Sequence, residues 1–355
     1  MNVINIAAGY GKLGDNVMKS LVYYGSKDVK IEEVTEPVVT EGTVKVKVKF
    51  AGICGTDLHE YLHKTFVTEN KMILGHEFTG EIVEVGNNVT KFKAGDRVAI
   101  EPIWGCGECQ TCKTGNYNIC PNMKSYGIHE NGGFAEYVVV KEANVFLLPD
   151  TLKFEFAALV EPLAVVLQAI RKSKFKIGDS VALFGAGPIG LLLSESLRAA
   201  GASKIFVAEV SEERRKLALK MGADVVINPL EEDAVQVIQN HTNGGVDVSF
   251  DVAGVEATFN QSLDCIKPNG EFMIVSVFAN PVKYHPTTQV VSEKKINSSL
   301  GYNNIFAQAI DLLSKGSLNV EPVITSIIAL DNIVEDGFEK LINDKNECKI
   351  LVRPN

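Results

Sequence analysis

The chain has 355 residues, 46% hydrophobic and 22% charged, with a net charge of −9 and a pI near 5.3. The length exceeds one ordinary core and predicts two domains. The acidic balance argues against a nucleic-acid surface, which concentrates Lys and Arg, and no apolar run approaches a membrane span.

Residues Met1–Val17 carry Gly and Asn punctuation and too short an apolar stretch for a secretion signal. Leu13-Gly14-Asp15 can be encoded by a purine-rich ribosome-binding sequence just before the Met18 codon, so Met18 is the expected natural start. Strand-like alternation begins there. KVKVKF (45–50), EIVEVG (81–86), RVAIEP (97–102) and AEYVVV (135–140) are Val-rich runs bounded by turn formers. They predict a mostly antiparallel β domain over residues 18–150. From about residue 165 the rhythm changes. The strand SVALF, the helix PIGLLLSESLRAA, the strand KIFVAEV and the helix SEERRKLALKMG follow in turn, with Ser211 as a helix cap. DVVIN, a helix around 231–241, DVSFDVAG, a helix around 256–266 and EFMIVSVF continue the alternation. Strands alternating with helices mean an α/β architecture with a doubly wound parallel sheet. After about residue 303 come helix, strand and helix, then a strand-like KILVRP, expected to return to the first domain. The boundaries read as 1–163 and 303–355 for the first domain and 164–302 for the inserted one.

Cys106, Cys109, Cys112 and Cys120 stand in the pattern C-x2-C-x2-C-x7-C and account for four of the seven cysteines. Four thiolates from one short segment can close a tetrahedral zinc site with no position left for water, which is a structural site. The competing reading, two disulfides, needs an oxidising compartment. Cysteines spent on metal, without a secretion signal, predict a cytoplasmic protein.

Gly185-Ala186-Gly187-Pro188-Ile189-Gly190 is G-x-G-x-x-G, directly after a strand and opening a helix. The glycines permit the tight turn, the approach of a pyrophosphate and close helix–strand packing, and the helix N-terminus favours anions. Glu209 follows at the end of the next strand, where a carboxylate accepts from a ribose 2′-OH and repels a 2′-phosphate. Arg214 and Arg215, close by, would tolerate that phosphate. The reading favours NAD over NADP.

Cys54 in GICGTDLHEY, His76 in LGHEF and Glu161 in LVEPLAV each have an ordinary structural explanation, and spacing alone does not unite them. Together with the cysteine lobe, GGFAEYVVV and VALFGAGPIGLL, in this order, they resemble the zinc-dependent medium-chain dehydrogenase/reductase superfamily from Met18 to Pro354. Glu161-Pro162 is similar to the polyol and diol branch. GICGTDLHEY, GIHENGGFAEYVVV and SSLGY are most similar to 2,3-butanediol (acetoin) dehydrogenases. Sorbitol dehydrogenases carry an arginine beside the tyrosine of the last motif, and here Gly301 stands before Tyr302. The loop between His59 and His76 is also shorter than in many butanediol enzymes.

The resemblance implies a GroES-like catalytic domain and a Rossmann cofactor domain. It implies a catalytic zinc on Cys54 and His76, with Glu161 as third ligand and Glu77 as its competitor. Asp57 would accept the free imidazole N–H of His76. Thr56 would receive the substrate proton and His59 would pass it to solvent. Two zincs per chain, a small diol or hydroxyketone substrate and a homodimer or homotetramer follow from the same resemblance. A polyol dehydrogenase is the alternative in chemistry, and a catalytically silent nucleotide-binding scaffold the alternative in class.

Overall fold

The computed structural model describes residues 16–67 and 71–354. The start-site expectation falls mostly on Met1–Asp15, outside the described residues. The described chain forms two compact units. One comprises residues 16–161, 306–315 and 324–354, and the other residues 162–305 and 316–323.

The first unit is built on a seven-stranded sheet. Six strands lie in the order Val145–Leu147, Arg97–Ile100, Glu77–Val85, Thr43–Gly52, Lys349–Arg353 and Ile324–Ala329, and Tyr137–Lys141 also pairs with Thr43–Gly52. The pairings are antiparallel except the last, between Ile324–Ala329 and Lys349–Arg353. The Thr43–Gly52 strand shows why this sequence makes a sheet. Val44, Val46 and Val48 are buried, while the intervening Lys45 and Lys47 lie on the opposite, half-buried face. Each buried valine contributes roughly 1.5–3 kcal/mol. They join Leu21, Phe78, Phe134 and Phe338 in one core. The alternation beginning at Met18 resolves into a hairpin, Val17–Gly25 with Asp28–Thr35, turned through Lys27 at φ 54°.

The second unit is a six-stranded parallel sheet. Its order is Val225–Ile227, Lys204–Ala208, Ser180–Phe184, Val246–Asp251, Ile266–Ile274 and Lys295–Ser298. This is the dinucleotide-binding order, which reverses beside the first strand. That strand is buried along almost its whole length, as a strand covered on both faces must be.

The segment Gly316–Val323 groups with the second unit. There the Asn319 N–H donates to Glu195 Oε1 at 2.8 Å, and Leu318, Val320 and Val323 are buried. The last helix is not a plain α-helix: Ile333–Glu339 is π-helical and only Lys340–Asn343 is α-helical. No helix among the described residues is long and apolar enough to cross a membrane.

Candidate active site and metal centres

The cysteine lobe runs between the paired short strands Ile103–Trp104 and Lys124–Ser125, with a short helix, Gln110–Lys113, and one 3-10 turn inside it. The ligand atoms of Cys106, Cys109, Cys112 and Cys120 all lie within 4.8 Å of one another. None is in a disulfide, and the Cys109 and Cys120 sulfurs are 3.7 Å apart. Backbone N–H groups of Cys106 and Asn122 point at Cys120 Sγ, at 3.4 and 3.3 Å, and that of Cys109 points at Cys106 Sγ at 3.4 Å. The Thr111 hydroxyl, 3.0 Å from Cys109 Sγ, and a backbone N–H bring that thiol down to about 6. Cys112 accepts a backbone hydrogen bond that favours its thiolate, yet desolvation and the neighbouring sulfurs push it up to about 12. Four sulfurs this close cannot all ionise against one another; a dication removes the conflict, so the donor set fits zinc.

The lobe is tied to the sheet by a buried acid. Tyr117 donates a hydrogen bond to Glu101 Oε1, and Asn144 Nδ2 donates to the Glu101 carbonyl at 2.7 Å. Burial raises the Glu101 carboxyl to about 7, against the opposing effect of the Tyr117 hydrogen bond. A carboxyl raised in the folded state contributes stability that is complete below its unfolded pKa. That stability is lost as pH climbs through the folded value. Between pH 4.5 and 8 the loss is about 3 kcal/mol. Glu101→Gln keeps the acceptor for Tyr117 and removes the titration. Urea unfolding should show a flatter pH profile and greater stability than wild type at pH 8. Parallel pH profiles for the two proteins would reject this role.

The second group forms where three segments of the first unit meet. Cys54 precedes the Gly55–His63 helix, and His76 and Glu77 open the Glu77–Val85 strand. Cys54, His76 and Glu77 bring sulfur, nitrogen and oxygen within 4.8 Å of one another. Glu77 lies opposite Gly52 in the sheet register, and a Cβ on Gly52 would sit 2.2 Å from Glu77 Oε2. Glycine at 52 therefore makes room for the carboxylate. Both Glu77 oxygens accept from Lys349 Nζ, at 2.8 and 2.7 Å, and Lys349 also donates to the Ile53 carbonyl at 2.9 Å. The pair is almost wholly buried, with side-chain exposures of 2% and 1%. Burial opposes charge on Lys349, but Glu77 and then Cys54 outweigh it and raise its pKa.

Asp57 Oδ2 accepts the Cys54 backbone N–H at 2.9 Å, fixing the first turn of the helix. Asp57 Oδ1 is 3.6 Å from His76 Nδ1, an ion-pair separation longer than a hydrogen bond, and that nitrogen is a buried polar atom without a hydrogen-bond partner. Burial disfavours charge on His76, yet Asp57 and Cys54 together hold its pKa well above the ordinary value. A site that draws a proton onto its imidazole also draws a cation. The mixed S, N and O donors fit zinc, with the Nδ1 side of the imidazole turned toward Asp57.

Thr56 Oγ1 is 3.8 Å from Cys54 Sγ. His59 is half-buried on the same helix, its ring centroid 6.1 Å from that of His63. Glu161 is half-buried in the first turn of the Val160–Lys172 helix, and its oxygens are not among the atoms gathered with Cys54 and His76. Sequence reasoning missed Lys349 altogether. Its one signal is a cation inside the apolar run CKILV, which a solvent-facing strand residue would equally explain.

In the second unit Gly185 has φ 107° and Gly187 caps the Pro188–Ala199 helix, with Pro188 at its first position. A Cβ on Gly190 would lie 2.1 Å from the Gly185 carbonyl, so that glycine is required by helix–strand packing. A Cβ on Gly187 would meet no protein atom within 4 Å. Packing does not demand glycine there, and the free space fits an approaching pyrophosphate. Ile189 follows in the first turn of this helix. Glu209 accepts from Ala186 N at 2.8 Å and Ser211 N at 2.9 Å, so it also braces the glycine loop. Arg215 is spent on the carbonyls of Glu209 and Val210. The Arg214 N–H donates to the capping Ser211 Oγ at 3.3 Å.

Residues 40–150 match the alcohol dehydrogenase GroES-like domain, and residues 188–315 match the zinc-binding dehydrogenase domain. The chain is 43% identical over 350 residues to the (R,R)-butanediol dehydrogenase of Bacillus subtilis (strain 168), covering 95% of this chain and 100% of the relative. The crystal structure of 2R,3R-butanediol dehydrogenase from Bacillus subtilis superposes with a TM-score of 0.90, again over 95% and 100% of the two chains. The sorbitol dehydrogenase of Bacillus subtilis (strain 168) is 36% identical over 345 residues, 95% of this chain and 98% of that one. A zinc-binding dehydrogenase of Sinorhizobium meliloti 1021, solved bound to NADP, is 33% identical with a TM-score of 0.91, over 96% and 100% of the chains.

Proposed function

The chain belongs to the zinc-binding alcohol dehydrogenase family and is a zinc-dependent alcohol oxidoreductase working with a nicotinamide cofactor; from that premise we propose that it interconverts 2,3-butanediol and acetoin with NAD(H). The observation that carries the substrate is the full-length likeness to a butanediol dehydrogenase, 43% against 36% for the sorbitol enzyme. Gly301, where sorbitol dehydrogenases resemble one another in having arginine, supports the same choice.

In this reading Cys54, His76 and Glu77 hold the catalytic zinc, Glu161 is the other candidate carboxylate, and the four lobe cysteines hold a second zinc. Zinc, when bound, supplies a Lewis acid that acidifies an alcohol, and the nicotinamide supplies the hydride acceptor. The Thr56 hydroxyl takes the proton leaving the substrate, and His59 carries it toward solvent. Asp57 holds the turn that aims Cys54 and keeps the His76 imidazole oriented. Lys349 balances the carboxylate of Glu77, whose oxygens each retain a further lone pair for a metal. Gly185, Gly187, Pro188, Ile189 and Gly190 cradle the pyrophosphate. Glu209 receives the ribose hydroxyls and disfavours a 2′-phosphate, which supports NAD over NADP; Arg214 lies at the edge of that pocket. A homo-oligomer paired along the edge strand Lys295–Ser298 in the cytoplasm completes the proposal.

Initial rates with (R,R)-, (S,S)- and meso-2,3-butanediol against sorbitol, with NAD⁺ and NADP⁺ and with and without a chelator, test it. The expected result is chelator-sensitive turnover of a butanediol isomer with NAD⁺. Preference for sorbitol would establish the polyol reading instead, and cofactor binding without turnover of any alcohol would leave a silent scaffold.

A further inference from the structure

We propose that the C-terminal segment of the first unit positions Cys54, and that Gly337 is the positioning residue through which it acts. This rests on the reading of Cys54 as a ligand of the catalytic zinc.

Cys54 follows Ile53, the first residue after the Thr43–Gly52 strand, where the chain turns toward the ligand. Ile53 is held on three sides by the C-terminal segment. Its N–H donates to the Ile350 carbonyl at 3.0 Å. Its carbonyl accepts from Lys349 Nζ at 2.9 Å. Its Cδ1 occupies the space beside Gly337, where a Cβ on that glycine would lie 2.7 Å away, with Ile328 Cδ1 at 3.2 Å behind it. The far end of the following helix is held by the next two residues of the same segment. Tyr61 donates to Glu339 Oε1 at 2.7 Å. Its ring packs on Phe338, with centroids 5.2 Å apart, and Phe338 in turn packs on Phe134 at 6.2 Å. Three consecutive residues, Gly337, Phe338 and Glu339, thus grip both ends of the stretch Ile53–Tyr61 that carries Cys54, Thr56, Asp57 and His59.

Two features of the gripping element need an explanation, and this role supplies it. Gly337 does not have a positive φ, so its backbone does not require glycine, and glycine is the weakest helix former after proline. Its value here is the absent side chain. The element is also π-helical, a rare form frequent at functional sites. Packed interiors transmit displacement because they do not compress. A side chain at 337 meets the tip of Ile53 in a space also bounded by Ile328 and Ile333; on the proposal the tip cannot swing clear, and the displaced Ile53 carries Cys54 with it.

The test is a double-mutant cycle of Gly337→Val and Ile53→Ala in the zinc-loaded enzyme, with cobalt exchanged into the Cys54 site as a spectroscopic reporter. Gly337→Val should lower kcat by about tenfold or more with little change in KM for NAD⁺, and shift the thiolate-to-cobalt charge-transfer band. Ile53→Ala alone should be mild, and the double variant should return to within about threefold of it, because the shortened side chain vacates the space. An unmoved band with unchanged kcat in Gly337→Val overturns the proposal, and so does a double variant as impaired as Gly337→Val. Should Gly337→Val not fold, Tyr61→Phe carries the test: a shifted band and lower kcat, with Glu339→Gln near wild type, support the grip, and an unmoved band overturns it. Cys54→Ser, measured alongside, should bind one metal fewer per chain. Retention of the full metal content there would sink the ligand assignment, whereas metal loss there beside an unresponsive Gly337→Val would sink only the positioning.

Discussion

Replacing Lys349 with Met lowers the stability of the folded chain by about 3–5 kcal/mol, the range for breaking a buried ion pair by removing one partner. The geometry makes this charge a sensitive one. Lys349 Nζ reaches both Glu77 oxygens and the Ile53 carbonyl, and the partners are 2% and 1% exposed. Methionine matches the aliphatic stem, so little packing is lost; what remains is an uncompensated carboxylate beside Cys54. The loss should be smaller in the double variant Lys349→Met/Glu77→Gln, since removing both charges leaves nothing unpaired. It should also be smaller with zinc bound, because a cation among Cys54, His76 and Glu77 replaces part of the missing charge. Urea unfolding with and without a chelator measures all three. A single Lys349→Met change of under about 1 kcal/mol would mean the pair is weak despite its burial.

Gly105→Ala dismantles the cysteine lobe. A Cβ at this position would stand 2.4 Å from Cys112 Sγ, 3.0 Å from Tyr117 Cβ and 3.3 Å from Cys120 Cβ. Two of those residues belong to the four-cysteine group, and the third anchors the lobe through Glu101. The added methyl cannot be absorbed by rotating a flexible tip, because the sulfurs are fixed by one another. In zinc-finger peptides, structural zinc contributes about 10–16 kcal/mol of binding free energy that is also folding free energy. The variant should therefore lose one zinc per chain, and the lobe should become sensitive to proteolysis within residues 105–121. Metal analysis and limited digestion read this directly. Full zinc content with a protease-resistant lobe would show that the cysteines do not need the space Gly105 leaves.

Legibility in the sequence followed the range of each interaction. The gathering of the four lobe cysteines was readable because they lie within fifteen residues, so spacing alone constrains their geometry. The glycine loop was readable for the same reason, as strand, turn and helix are contiguous. Glu209 was singled out by its place after the glycine loop, at the end of the next strand, although its hydrogen bond to Ala186 N, which makes it a brace of the loop as well, was not legible. The second metal group was not readable from spacing. Cys54 and His76 are separated by a helix and a loop, and the resemblance to a family, rather than any local pattern, brought them together.

What the sequence determined by itself was therefore local: the alternation that makes Thr43–Gly52 a strand, the parallel βα rhythm from Ser180 onward, the four-cysteine lobe and the glycine loop that opens the Pro188–Ala199 helix. Tertiary structure places the Glu77 carboxylate within reach of Cys54 and His76. Glu77 gathers with them because the register sets it against Gly52, whose missing side chain leaves the space. It decided that Lys349, 272 positions from Glu77, neutralises that carboxylate. It also decided that Gly337 lies beside Ile53. The physical reason is the same in each case. A charge is stabilised or a cavity filled by whatever is adjacent in space, and in a sheet adjacency is set by strand pairing, which composition and periodicity do not encode.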